Sequence, residues 1–134
     1  MPAQFFAYDG YGQTARESAY YSQAVRIGNR IECAGQGGWN PATGSDYSPD
    51  LSGEIDQAFE NVELAIRTAG GKGWSQVFRV TTYHVVLNDE VFAAMVRNLK
   101  AWIPDHQPIW TCIGVAKLAY PEMRVEIEVA ALDE

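Results

Sequence analysis

This chain is short of cysteine, of histidine, of basic charge and of long apolar runs, and each shortage removes a class of function. Only two cysteines occur in 134 residues, Cys33 and Cys112, and neither sits in a CxxC or Cys/His spacing. Zinc sites gather thiolate and imidazole ligands at such spacings, so no metal site is expected. The two histidines, His84 and His106, form no cluster with carboxylates at metal-ligand spacing. Ten Lys and Arg face 17 Asp and Glu, a formal charge of -7. A field of that sign does not attract phosphate backbones, and no Lys/Arg cluster opposes it locally, so nucleic acid is not the expected partner. No apolar run approaches the roughly 20 residues that cross a bilayer. The N-terminal sequence lacks the basic, apolar and small-residue pattern of a secretory leader. Two widely separated thiols then read as reduced cysteines of a cytoplasmic protein. Gly37 and Gly38 are followed by no P-loop pattern, which removes a phosphate cradle.

What remains is a globular chain of one domain, 1–134. Hydrophobic residues make up 47% of it, enough for a core without disulfide staples. Residues 1–19 are rich in Tyr, Gly and polar types, with one short strand near Phe5 to Tyr8. Tyr20 to Ile27 and Arg30 to Gln36 read as strands joined by the two-residue turn Gly28-Asn29. Asp50 to Ala69 reads as a helix: Ile55, Phe59, Val62 and Ile66 recur at helical spacing, Asp50 or Ser52 caps the start, and Gly70-Gly71 stops it. Val77 to Leu87 is β-branched and aromatic, hence a strand. Asn88 or Asp89 caps a second helix to about Ile103, with Phe92, Met95, Leu99 and Trp102 on one side. Two strand-like runs, joined by Ala-Tyr-Pro-Glu, close the chain. The order is β-β-α-β-α-β-β, an α+β pattern.

The last two runs carry the chemistry. Successive strand side chains point oppositely. Met123, Val125, Ile127 and Val129 therefore share one face, and Arg124, Glu126 and Glu128 the other. Ile109, Thr111, Ile113 and Val115 form one row, and Trp110, Cys112 and Gly114 the other. The expectation is that indole, thiol and carboxylates project from one side while the aliphatic row packs behind. Two helices cover only one face of such a sheet. The other needs a shield, and a second copy of the chain is the simplest, with a small-molecule cleft where subunits meet.

These features resemble the RidA/YjgF family, also called endoribonuclease L-PSP. YSQAVRIGNRIECAGQ is similar to the family's first hairpin. The helix with its double-glycine end, the run VTTYHVVLND and the C-terminal Pro-x-x-[ST]-Cys-x-x-Val followed by Val-Glu-Ile-Glu match in order and spacing. The resemblance implies a chorismate-mutase-like fold, a mixed sheet with two helices packed on one face. It also implies a homotrimer with three inter-subunit clefts, and no cofactor. Typical members hydrolyse enamines and imines released by pyridoxal-phosphate enzymes to a 2-oxo acid and ammonia. By resemblance Tyr21 closes the cleft, Gly35 offers a backbone contact, Cys112 lines the pocket and Glu126 positions the attacking water. Thr111, at the motif's Ser/Thr position, joins the substrate-binding set.

The chain departs from that motif at its centre. Two residues before the cysteine the family carries an arginine that clamps the substrate carboxylate, and here stands Trp110. An indole has one N–H donor and no charge. Losing the clamp removes about 1.5–3 kcal/mol of charge-assisted hydrogen bonding. Gly114 replaces the usual acidic residue two places after the cysteine. Both changes suggest a roomier, more apolar pocket. Arg124 could substitute for the clamp or pair structurally. Glu126 could act as acid or base, with Glu128 raising its pKa, or be a solvated strand carboxylate. Cys112 lacks an activating base nearby in sequence, which favours a cleft-lining role over a nucleophile. Tyr21 and Trp110 could equally be packing residues, and Cys33 reads as core. Three functions follow: an imine- or enamine-directed enzyme that is not an ordinary 2-iminopropionate deaminase, a non-catalytic binding or chaperone-like trimer, or an endoribonuclease, which the acidic charge opposes.

Overall fold

Hydrophobic spacing and capping account for most elements of the computed structural model, which describes residues 1–134. In chain order these are β1 (Gln4–Phe6), α1 (Tyr11–Ser18), β2 (Ala24–Ile27), β3 (Arg30–Gln36), α2 (Leu51–Thr68), a 3-10 turn (Trp74–Gln76), β4 (Val77–His84), α3 (Asp89–Trp102), β5 (Ile109–Gly114) and β6 (Val125–Leu132). Asp50 caps α2, its side chain accepting from the Gly53 N–H at 3.3 Å. The expected stripe Ile55, Phe59, Val62 and Ile66 is fully buried. Asn88 caps α3 by accepting from the Val91 N–H at 3.0 Å. Ile27 pairs with Arg30, so Gly28-Asn29 is a two-residue hairpin loop, and Gly28 takes the φ of 61° such a turn demands.

The six strands lie in the order β1-β2-β3-β6-β4-β5. Every neighbouring pair is antiparallel except β4 and β5, which run parallel. A parallel pair requires a crossover, and α3 supplies it. The last two strands are therefore not neighbours. β4 lies between β5 and β6, and residues 115–124 carry the chain across it instead of forming the short turn expected from Ala-Tyr-Pro-Glu. β1, only three residues long, and β5 are the edges of the sheet.

The helices differ from expectation in two ways. A third helix, α1, occupies the N-terminal stretch read as irregular. It lacks a regular apolar stripe; Tyr11 and Ala15 bury, and the Tyr11 N–H donates to Pro41 O at 2.8 Å. Tertiary docking makes this helix, and a periodicity search does not see that. In α3 Met95 of the expected side is buried and Leu99 and Trp102 pack partly buried against the core, but Phe92 is exposed, and Val91, Ala94 and Asn98 are buried instead. Asn98 is polar yet buried because it bridges helices: its amide donates to Asp56 Oδ1 at 2.8 Å, and Arg97 reaches the same oxygen at 2.9 Å.

Register fixes the two faces of the sheet. Val80, Thr82 and His84 pair with Val129, Ile127 and Val125, and all six are buried. That is the face covered by α2 and α3. Arg79, Thr81 and Tyr83 alternate with them, and Thr81 and Tyr83 pair with Glu128 and Glu126 on the open face. No helix is long and apolar enough to cross a membrane.

One ion pair ties the helix layer to the sheet. Glu54, wholly buried in α2, accepts from the Arg124 main-chain N–H and from its Nε, both at 2.7 Å. Arg124 also donates to Ser48 O at 2.9 Å. Structural pairing is thus the role of Arg124. Removing one partner of a buried pair strands the other charge. Glu54→Ala should cost about 3 kcal/mol of stability, read as a lower midpoint in urea unfolding at unchanged slope.

Candidate functional site

Glu126 projects from β6 on the open face, next to the one irregularity of β3. The pairing of β3 with β6 slips between Cys33 and Gln36. Such a bulge re-aims the backbone, and here it lays Gly35 against the Glu126 side chain. A Cβ on Gly35 would come within 2.5 Å of the Glu126 carboxyl carbon. Only a residue without a side chain allows that approach. Burial raises the pKa of Glu126, and the Glu128 charge adds to the effect. Glu128 is engaged in turn, accepting a hydrogen bond from the Tyr83 hydroxyl. That bond, more than burial, raises the pKa of Tyr83.

Four tyrosines gather at this end of the sheet. The Tyr11 hydroxyl pairs with those of Tyr21 and Tyr120, both at 3.1 Å. The Tyr47 hydroxyl is buried and has no hydrogen-bond partner. Burial raises the Tyr47 pKa first, and the charges of Glu122, Glu54 and Glu126 act in the same direction. Of these tyrosines only Tyr21 was marked by the sequence. Residues 11, 21, 47 and 120 share no linear spacing, and the sole available signal was the abundance of tyrosine, seven in the chain.

Trp110 and Cys112 do not share a face with Glu126, and this corrects the expectation from strand alternation. β5 runs beside β4 with Val80 opposite Trp110 and Thr82 opposite Cys112. Those β4 residues face the helices, so Trp110 and Cys112 do too. The indole N–H donates to Thr82 Oγ1 at 3.1 Å, and the ring stacks on Phe92 of α3 at 5.5 Å. Thr111, opposite Thr81, lies on the open face with Glu126 and Glu128. The aliphatic row expected to pack behind the sheet is exposed there, Ile109 to 62% and Ile113 to 37%. Alternation tells which residues share a face and not which face it is. The apolar row was misassigned because the open face is itself apolar.

The hollows follow this division. A groove of about 450 Å³ on the outer strands is lined by Phe5, Tyr20, Tyr21, Val25, Glu32 and Ala34. A separate one of about 390 Å³ lies against α3, where Trp110 meets Leu99, Lys100, Pro104, Gln107 and Pro108. Cys112 is half-buried and unpaired. His84, buried on the same face, has its Nε2 taken by Thr82 Oγ1 at 2.8 Å, which leaves that nitrogen unavailable as a base for the thiol. Cys33 is a core residue whose thiol burial pushes up to about 12. His106 bonds Val77 O at 2.7 Å through Nε2. No three His, Cys, Asp or Glu side chains gather as a metal site.

Two outcomes follow from this geometry. Gly35→Ala should displace the Glu126 carboxyl and lower any turnover that depends on it, while circular dichroism stays unchanged. Because the fold raises the Glu126 pKa above its ordinary 4.5, folding favours the protonated form. That contribution is complete below the unfolded pKa and is lost as pH rises through the folded one. Glu126→Gln cannot ionise, so it should melt above wild type near about pH 7 and lose that advantage near about pH 3.5, as followed by thermal unfolding.

Comparison with known proteins adds a relationship to this geometry. The family model described as Endoribonuclease L-PSP matches residues 13–133. A 2-iminobutanoate/2-iminopropanoate deaminase of Dermatophagoides farinae is 34% identical over 108 residues, covering 81% of this chain and 81% of that protein. The enzyme of the same name from Escherichia coli K12 is 31% identical over 115 residues, covering 84% and 86%. The crystal structure of the E. coli YjgF gene product superimposes with a TM-score of 0.74 at 29% identity, over 85% of this chain and 88% of that one. With a family match along nearly its whole length and relatives above 30% identity, the chain belongs to the RidA/YjgF family, the endoribonuclease L-PSP group.

Proposed function

We propose that this chain hydrolyses an imine or enamine, with Glu126 orienting and deprotonating the attacking water. The observation that carries this reading is the state of Glu126. It is packed against a glycine backbone, its pKa is raised by burial and a neighbouring carboxylate, and no donor or cation offsets them. A carboxyl poised nearer neutrality can take a proton from water and return it to a leaving nitrogen. Water oxygen bonds to the C=N carbon as its proton passes to Glu126. The nitrogen gains protons, the C–N bond breaks, and ammonia leaves a carbonyl compound behind. The names of the deaminases among the relatives support the same class of reaction.

The open face also supports assembly. Phe5 on one edge strand and Ile109 and Ile113 on the other are exposed on it. Apolar area of this kind is covered in stable oligomers. We place two further copies of the chain there, a trimer by resemblance to the family, with Tyr21, Gly35, Thr111 and the β5 edge at the joins. A cytoplasmic setting, a small-molecule ligand and no nucleic acid or membrane partner complete the reading.

A second reading, a non-catalytic binding trimer, draws on Trp110. Its ring is held by Thr82 and Phe92, so no carboxylate clamp stands where the family carries one. Ribonuclease action has no comparable support against a charge of -7.

The readings separate by measurement. A dehydratase generates 2-iminopropionate in place, and a panel of oxidases supplies other imines. The expected result is acceleration of at least one imine, with 2-iminopropionate slower than for an arginine-bearing relative. Glu126→Gln should lose at least about 100-fold of that rate with the same mass by light scattering. Unchanged turnover in the variant would remove Glu126 from the reaction. Ligand binding by calorimetry without turnover of any imine would favour the binding reading.

A further inference from the structure

We propose that the substrate of this site carries no negative charge: it is an uncharged or cationic imine derived from an amine, not the anion derived from an amino acid. This rests on the hydrolytic reading above and assigns its substrate class.

No side chain next to Glu126 offers a free positive charge; Arg79, on the same open face, lies beside Glu128 and Glu32, four residues along β4 from the Tyr83 that pairs with Glu126. Arg124 lies two residues away, but its guanidinium is bound by the Glu54 carboxylate and by Ser48 O. Position 110 holds an indole, turned to the other side of the sheet, with its one N–H given to Thr82. Arg124 apart, the nearest charged neighbours along β6 and the loop before it are Glu128 and Glu122. Only negative charge acts on Glu126 from its surroundings, and the same holds for Tyr47. A 2-imino acid brought here would place a carboxylate among carboxylates with no guanidinium to offset it.

The same surroundings suit N–H donors. An imine becomes reactive when protonated, as an iminium cation whose N–H groups need acceptors. Glu126 supplies carboxylate oxygens. Tyr47 supplies a buried hydroxyl without any partner in the protein. Buried polar groups are almost always paired, and a ligand nitrogen is a partner this hydroxyl can take. The linked phenols of Tyr11, Tyr21 and Tyr120 add aromatic surface, which attracts cations and flat apolar groups. Iminium formation and aromatic lining thus point to one class, an imine with an apolar or aromatic body and no acid group.

A matched pair tests this. Monoamine oxidase acting on 2-phenylethylamine and L-amino-acid oxidase acting on L-phenylalanine give imines that share the benzyl group, one without and one with a carboxylate. Semicarbazide competes for each imine, and its loss to hydrolysis reports the acceleration over that imine's own uncatalysed rate. The expected result is at least about tenfold greater acceleration for the amine-derived imine, with added salt weakening it as screening requires. Tyr47→Phe should raise KM for that imine several-fold without lowering the melting temperature, since the lost hydroxyl bonds nothing in the fold. A purely structural Tyr47 would move stability and not KM. Equal or greater acceleration of the amino-acid imine would overturn the charge assignment and leave the hydrolytic reading standing. Acceleration of neither, from these and the wider imine panel, would sink both.

Discussion

The contact between Glu54 and Arg124 organises this molecule. It fastens the first turn of α2 to the start of β6, and Glu126 follows two residues later. The helix layer and the site are thereby set against each other by a pair whose carboxylate is wholly buried. The pair also consumes the guanidinium nearest Glu126 along the chain, and the charge that acts on Glu126 is that of Glu128. A contact made for architecture therefore shapes the electrostatics around Glu126. Buried pairs of this kind are weak sources of net stability but are costly to break. Their worth here is positional: they hold a strand start where a carboxyl must be placed against a glycine backbone.

Much of the fold was legible in the residues. The α2 stripe, its Asp50 cap and the hairpin at Gly28 are local signals, and the structure honours each. The failures were tertiary. α1 is held by contacts from Pro41 and Trp39, which have no echo in its own spacing. The buried side of α3 takes in a polar residue, Asn98, that reaches Asp56 on another helix. Hydrophobic pattern marked Met95, Leu99 and Trp102 rightly and Phe92 wrongly, since Phe92 is exposed and stacks on Trp110. Strand neighbours were hidden because a parallel partner is chosen by the crossover and not by the turn that follows.

The candidate site was legible in part for a related reason. Glu126 and Gly35 meet because of a bulge between Cys33 and Gln36, yet the family motif alone marks both. Thr111 falls on their face. Trp110 and Cys112 fall on the other, since β4 dictates where β5 side chains point. The tyrosines at 11, 47 and 120 come from three separate segments, and only folding brings them to Tyr21.

The free margin of β5 has a consequence for the life of the chain. Its residues, Ile-Trp-Thr-Cys-Ile-Gly, include no lysine, no proline and no charge of any kind. The opposite margin is blunted by brevity, but this one is six residues of strand-loving sequence with a row of peptide groups facing outward. Unguarded margins of that sort recruit whatever extended segment they meet. Under the proposed assembly, quick coverage by sister chains would also serve proteostasis, and synthesis too dilute for such encounters would leave the polypeptide prone to precipitate.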